Sequence, residues 1–206
     1  MILDALVSTL LNLVLLAGIP LGGYALVQRW RHRQPLRETA RRAGLQLGDP
    51  RYLLHAALLT AVAVTALIIW TPPLEPFMRP GSPQRQFVGL GVTPLAALLA
   101  ALYGFVKTGF PEELLFRGLI AGSLGRHMAF TSALLIQGVI FLLPHLALLS
   151  IMPELRGLLL VVFAGGIVAG WLRLRSQSIL APWLVHGAVN TAICLSVAAR
   201  TAGGEI

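Results

Sequence analysis

Ionisable and amide side chains interrupt the otherwise apolar second half of this sequence. They lie in the segments "GFPEELLFRG", "FLLPH" and "HGAVN", and are Glu112, Glu113, Arg117, His145, His186 and Asn190. Ionisable residues inside membrane helices usually face the interior of a helix bundle and mark a functional site. A carboxylate, two imidazoles and a primary amide in three separate segments predict a site where water attacks an amide carbonyl.

The two adjacent glutamates are expected to have different roles. Pro111 suits the first position of a helix, and carboxylates in that first turn face the positive end of the helix dipole. Glu113 and Arg117 are four positions apart, so they share a helical face and can form an ion pair. Glu112 points about 100° away around the helix, which leaves its carboxylate free for chemistry.

The residue types are compatible with two mechanisms. In the first, Glu112 activates water as a general base, His145 shares the water or protonates the leaving amine, and the pair formed by His186 and Asn190 donates hydrogen bonds to the oxyanion. In the second, Glu112, His145 and His186 bind a divalent metal such as zinc, and Glu113 becomes the base. The residues alone do not choose between a site without a cofactor and a zinc site.

Three other kinds of intramembrane hydrolase are disfavoured by composition. None of the five histidines is followed by Glu, so the His-Glu-x-x-His motif of zinc proteases is missing. An aspartyl site needs two aspartates within the membrane, but Asp4 and Asp49 are the only aspartates in the chain and neither lies at membrane depth. Ser123, in "AGSLG", is a weak nucleophile candidate because small residues next to glycine also serve helix packing.

The elements that must carry these residues are membrane helices. Of the 206 residues, 56% are hydrophobic and only 12% are charged, whereas soluble domains average about a quarter charged. The sequence contains six clear apolar runs, several of them near the roughly 20 residues that a spanning helix needs. We predict an all-α, polytopic bundle of about 6–8 membrane helices around a buried polar cavity. The first run is expected to remain as a membrane helix, because Asp4 stands where a signal peptide would have basic residues.

The distribution of arginines predicts the topology. Seven arginines lie in the segment 29–51, between two apolar runs, which places this loop in the cytoplasm by the positive-inside rule. The net charge of +8 therefore indicates contact with the lipid bilayer and its anionic headgroups, not with nucleic acid. Arg173 and Arg175 mark a second cytoplasmic loop. If 112–126 were a separate full crossing, these two arginines would lie on the outside, and we therefore favour a short or re-entrant helix at 112–126.

The polar segments also form recognisable motifs. "EELLFR" has the pattern Glu-Glu-x-x-x-Arg, "FLLPH" has Phe-x-x-x-His, and "HGAVN" has His-x-x-x-Asn. In this order they resemble the CAAX-processing and bacteriocin-processing (CPBP) family of intramembrane proteases. The resemblance covers 88–199 as a catalytic bundle, with further membrane helices in 1–87 and a short tail in 200–206.

The resemblance implies a membrane endopeptidase with a polar cavity open to the cytoplasmic side. It implies that Glu112 is the water-activating base with His145 beside it, that Glu113 and Arg117 shape the motif, and that the His-x-x-x-Asn pair stabilises the oxyanion. Members of this family are often labelled metalloproteases, and we favour the mechanism without metal. The implied partners are membrane-embedded or lipidated proteins or peptides.

Two other functions remain as alternatives, and the source is inferred from composition. A non-catalytic membrane scaffold or immunity protein of the same fold would not depend on Glu112. A small transporter would also need buried Glu and His, but it often shows an internal repeat, and we find none. Fifteen arginines against one lysine, with abundant Ala, Leu and Gly, indicate a bacterium and therefore its cell membrane.

Overall fold

The chain folds as a bundle of long helices. A computed structural model describes residues 2–203, and every regular element in that part of the chain is helical. Two short helices lie between the long ones: α2 (Leu36–Arg42) and α4 (Glu75–Met78). Six helices are long and apolar enough to cross a bilayer: α1 (Leu3–His32), α3 (Arg51–Trp70), α5 (Pro94–His127), α6 (Phe130–Ser150), α7 (Pro153–Ser176) and α8 (Leu180–Arg200). The predicted all-α polytopic bundle is confirmed.

The ends of these helices follow from local chemistry. α5 begins at Pro94, and the Thr93 hydroxyl caps it by accepting a hydrogen bond from the backbone N–H of Ala96 at 3.1 Å. α1 ends where Arg33 adopts a left-handed conformation, with φ of 52°. α7 ends in the same way at Gln177, with φ of 59°. These reversals turn the chain back toward the bundle at the same end of the molecule.

The prediction of a separate short or re-entrant helix at 112–126 is wrong. These residues continue from Pro94 in one helix, and two π-helical stretches, Leu102–Gly109 and Glu113–Ala121, lie within it. Pro111 has no backbone N–H and would normally break a helix. The wider π turns on either side re-pair the neighbouring backbone groups, so the helix continues through the proline.

Because 94–127 form one crossing, 112–126 do not add a crossing of their own, and the two groups of arginines no longer fall on opposite sides of the membrane. With six crossings, the connections 33–50, 127–129 and 177–179 all lie at one end of the bundle, which we call the basic end. Arg173 reaches this end, where its Nη2 donates to the backbone oxygen of Arg42 at 2.8 Å. The arginines of the first loop and of α7 therefore lie on the same side without any re-entrant segment.

Close packing between α5 and α8 depends on glycine. A Cβ on Gly104 of α5 would lie 2.5 Å from the Thr191 hydroxyl of α8. A Cβ on Gly187 of α8 would overlap the ring of Phe105. Small residues allow membrane helices to approach this closely, and this contact brings the polar residues of the two helices together.

Candidate active site

The local structure of α5 fixes the position of the two glutamates. Glu112 ends a three-residue α-helical stretch, Phe110–Glu112, and Glu113 begins the second π-helical stretch. π-helical turns are rare and are frequently found at functional sites. The two glutamates therefore lie on either side of the boundary where α5 changes from α-helical to π-helical geometry.

Glu113 forms a buried ion pair with Arg117. Its Oε1 lies 3.3 Å from Nη1 of Arg117, and each of the two side chains is only 1% exposed. The predicted pairing over four positions is confirmed. Glu113 also accepts a hydrogen bond of 2.8 Å from Nδ1 of His186 on α8. An ionised carboxylate can only accept, so we assign a proton to this ring nitrogen.

His186 lies between the two glutamates. While Nδ1 binds Glu113, the other ring nitrogen, Nε2, lies 3.9 Å from Oε2 of Glu112. That distance is too long for a direct hydrogen bond. The sequence interpretation paired Glu113 with Arg117 alone, whereas in the structure one imidazole connects both carboxylates.

Glu112 is the less constrained carboxylate. Its side chain is 18% exposed and that of His186 is 17% exposed, so the centre is partly exposed, whereas Glu113 is fully buried. Within residues 2–203, the buried oxygen Oε2 of each of these two glutamates has no hydrogen-bond partner. A carboxylate in this state can accept a proton or a hydrogen bond from a water molecule.

Phe141 connects the second imidazole to this centre. The guanidinium of Arg117 lies 3.8 Å from the centre of the Phe141 ring, a cation–π distance. His145 packs on the same ring at 4.5 Å, and its Nδ1 lies 2.8 Å from the backbone oxygen of Phe141. Within the described residues His145 makes no hydrogen bond or ion pair with either glutamate, and its Nε2 has no protein partner.

Asn190 is anchored by a residue of α5. Its amide nitrogen donates to the Thr108 hydroxyl at 3.0 Å, and that hydroxyl in turn donates to the backbone oxygen of Tyr103 at 3.0 Å. The amide of Asn190 keeps a second N–H for another acceptor. Thr108 therefore fixes the orientation of a group that can donate to a developing negative charge.

Sequence reasoning missed several supporting residues. Phe141 belongs to the Phe-x-x-x-His motif, and its contact with Arg117 could have been sought because both lie in the motifs. Thr108 and Gln137 carried a weaker signal, since each is a polar residue inside an apolar run. Gln137 is fully buried and donates to the backbone oxygen of Gly166 at 2.7 Å, which links α6 to α7.

The predicted metal ligands do not converge. Within the part of the chain that the structure describes, no three His, Cys, Asp or Glu side chains form a group that could hold a metal ion. Glu112 and His186 face each other, but His145 binds the backbone of its own helix. The ligand set Glu112, His145 and His186 therefore does not fit a metal in this geometry.

The middle of the chain is similar to a known protein family. Residues 94–192 match the model of the family described as type II CAAX prenyl endopeptidase Rce1-like. No curated protein and no solved structure matches the chain. The matched segment contains all three polar motifs and all six site residues, which confirms the resemblance seen in the sequence.

Proposed function

Because residues 94–192 match the model of the family described as type II CAAX prenyl endopeptidase Rce1-like, we propose that the protein is an intramembrane endopeptidase in which Glu112 activates water. The family is a protease family, and the six apolar helices make this a multi-pass membrane protein. The proposal concerns the mechanism, the substrate and the side of the membrane from which the site is reached.

One observation carries the proposal. His186 lies between two carboxylates, of which that of Glu113 forms an ion pair with the buried Arg117. The other, that of Glu112, has no arginine partner among the described residues, is 18% exposed, and directs Oε2 toward the same imidazole. Glu113 thus orients His186, and Glu112 is left to act on water.

In the proposed reaction, Glu112 removes a proton from a water molecule while the water oxygen attacks the scissile carbonyl carbon. The carbonyl π electrons move to oxygen, and the second N–H of Asn190 donates to that oxyanion. His186 would be a further donor when its Nε2 carries a proton. Collapse of the tetrahedral intermediate breaks the C–N bond, and the leaving nitrogen takes a proton from Glu112 or His145. The products are a carboxylate and an amine.

The proposed substrates are lipidated or membrane-embedded proteins and peptides. The site is within helices that cross the bilayer, so a substrate must bring its scissile bond to the membrane. We assign the basic end to the cytoplasm by the positive-inside rule, in the cell membrane of a bacterium. His186 is six positions after Leu180, so about 9 Å of helix separates the site from this end, from which the substrate would enter.

The test is cleavage of a panel of prenylated and membrane-tethered peptides by the purified full chain. We expect Glu112→Gln to lower the cleavage rate by about 10²–10⁴, because it removes the general base without changing shape. Glu75→Gln is the matched control, since Glu75 is exposed on the short helix α4. It should cleave as the wild type does.

Two results would contradict the proposal. Cleavage by Glu112→Gln at the wild-type rate would show that another residue activates the water. Loss of cleavage on addition of a chelator would contradict the mechanism without metal. If every member of the panel remains intact with folded wild-type protein, the scaffold alternative gains support.

A further inference from the structure

A polar cavity lies at the basic end, away from the glutamates. It has a volume of about 310 Å³, within the range of small-molecule sites. It is formed by α2, the residues after α2, and the ends of α5 and α7. Its lining residues are Glu38, Arg41, Arg42, Gln46, Gly122, Gly125, Arg126, Arg173, Leu174 and Gln177. None of them is a residue of the candidate active site.

Positive charges outnumber negative ones among the residues that line this cavity, which we call the basic pocket. Four arginines line it against one carboxylate. Glu38 is already paired, because Arg41 binds it with two hydrogen bonds of 2.7 and 3.0 Å and Arg42 with one of 3.1 Å. These bonds hold the pKa of Glu38 at about 2, so the carboxylate stays ionised and committed to those two partners.

The other two arginines have no carboxylate. Arg173 and Arg126 both direct a guanidinium nitrogen at the same acceptor, the backbone oxygen of Arg42, at 2.8 and 3.4 Å. Arg126 has further bonds only to hydroxyl groups, including that of Tyr24 at 3.1 Å. Within residues 2–203, neither of these two cations makes an ion pair with an acidic side chain.

Arg173 is the most unusual of the four. It is 2% exposed, and its Nε has no hydrogen-bond partner among the described residues. Gly44, at φ of +78°, and Gly122 make room for it, since a Cβ would lie 2.6 Å from Nε or 3.0 Å from Nη2 respectively. Burying an unpaired cation is unfavourable, so a pocket built around one favours an anion.

We propose that this basic pocket binds a phosphate-bearing anion. Guanidinium groups fit phosphate oxygens with paired, charge-assisted hydrogen bonds, and Arg173, Arg126 and the exposed Arg41 converge on one cavity. An anion between the two unpaired cations also removes their mutual repulsion. Gln46 and Gln177 also line the pocket. Each amide already donates one N–H, to the backbone oxygens of Gln177 and Leu174 respectively, and has a second N–H that can donate to an anion.

The position of the pocket selects the source of the phosphate. Arg126 and Arg173 are within four residues of the ends of two membrane-crossing helices, which is the depth of lipid headgroups. Polybasic surfaces at that depth attract anionic lipids. The expected ligand is therefore the phosphodiester of an anionic lipid such as phosphatidylglycerol, and free phosphate is the alternative source.

The test measures lipid binding by the detergent-purified full chain. Native mass spectrometry is used to titrate phosphatidylglycerol, with phosphatidylcholine for comparison, and thermal unfolding is followed with inorganic phosphate at constant ionic strength. The variant is the double substitution Arg41→Gln/Arg126→Gln, which leaves the buried Arg173 in place. The matched control is Arg31→Gln/Arg37→Gln, which removes the same charge from exposed residues outside the pocket.

We expect the pocket variant to bind phosphatidylglycerol at least about tenfold more weakly than the wild type, because charge-assisted hydrogen bonds are lost. The control should keep the wild-type affinity, and phosphatidylcholine should bind weakly to all three proteins. Stabilisation by inorganic phosphate alone, lost in the pocket variant, would identify the free anion as the source. Equal affinities in the three proteins, or equal losses in the two variants, would overturn the proposal.

Discussion

The buried ion pair between Glu113 and Arg117 yields a prediction that requires no substrate. Its charged atoms are 3.3 Å apart and both side chains are 1% exposed. At an effective dielectric constant of about 20, two unit charges at this separation attract by about 5 kcal/mol. Removing one partner of a buried pair typically costs about 3–5 kcal/mol, because the other charge remains buried. We expect Arg117→Met to lower the free energy of unfolding by this amount.

The double variant Glu113→Gln/Arg117→Met should recover most of this loss. Replacing both charges of a buried pair by neutral groups of similar size is often nearly neutral. The glutamine oxygen can still accept the hydrogen bond from Nδ1 of His186, which is 2.8 Å long in the wild type. The cation–π interaction of Arg117 with the Phe141 ring is still lost in the double variant, so we expect a remaining destabilisation of about 1 kcal/mol.

The assay is reversible unfolding in detergent micelles, read by tryptophan fluorescence and repeated for both single variants and the double variant. Arg175→Met is the control, because Arg175 is exposed and packs on the Phe130 ring at 4.6 Å without a carboxylate partner. It should lose no more than about 1 kcal/mol. A loss below about 1 kcal/mol in Arg117→Met, or a double variant as unstable as the sum of the singles, would refute the reasoning.

Three further predictions concern packing, orientation and pH. Gly104→Ala should destabilise the bundle by about 1–3 kcal/mol, because its Cβ would lie 2.5 Å from a threonine hydroxyl of α8; Gly165→Ala, with nothing within 4 Å, should be neutral or stabilising in the same unfolding assay. Thr108→Val should lower kcat for peptide cleavage by about tenfold with little change in KM, because Asn190 loses its anchor, and Thr108→Ser should restore it. The pKa of Glu38 is lowered from 4.5 to about 2, so its contribution to stability is present above pH 4.5 and is lost as the pH falls toward 2. Melting temperatures measured across that interval should fall more for the wild type than for Glu38→Gln, and parallel curves would contradict the assignment.

Contacts within one helix were predictable from the sequence. The spacing of Glu113 and Arg117 fixed their pairing, because four positions bring two side chains together on any continuous helix. Composition and hydropathy likewise determined the all-α membrane bundle, since only helices satisfy the backbone of such apolar segments in lipid. The three motifs indicated the family whose model matches residues 94–192.

Contacts between helices needed the tertiary structure. His186 was predicted as an oxyanion donor, but its Nδ1 binds Glu113, and this pairing depends on how closely α8 approaches α5 at Gly104 and Gly187. The continuity of α5 through Pro111 was mispredicted because π turns leave no simple signature in the sequence.

The sequence by itself predicted the candidate site residues, the membrane helices and the basic end of the bundle. The tertiary structure alone decided that Glu113 is the carboxylate buried against Arg117, that Glu112 is the more exposed one, and that Arg126 and Arg173 meet in one pocket. The physical reason is the separation along the sequence over which each effect acts. Hydropathy, helix periodicity and short motifs are properties of neighbouring residues, whereas the partner of a buried charge is set by the packing of segments that lie 73 or 131 residues apart in the sequence.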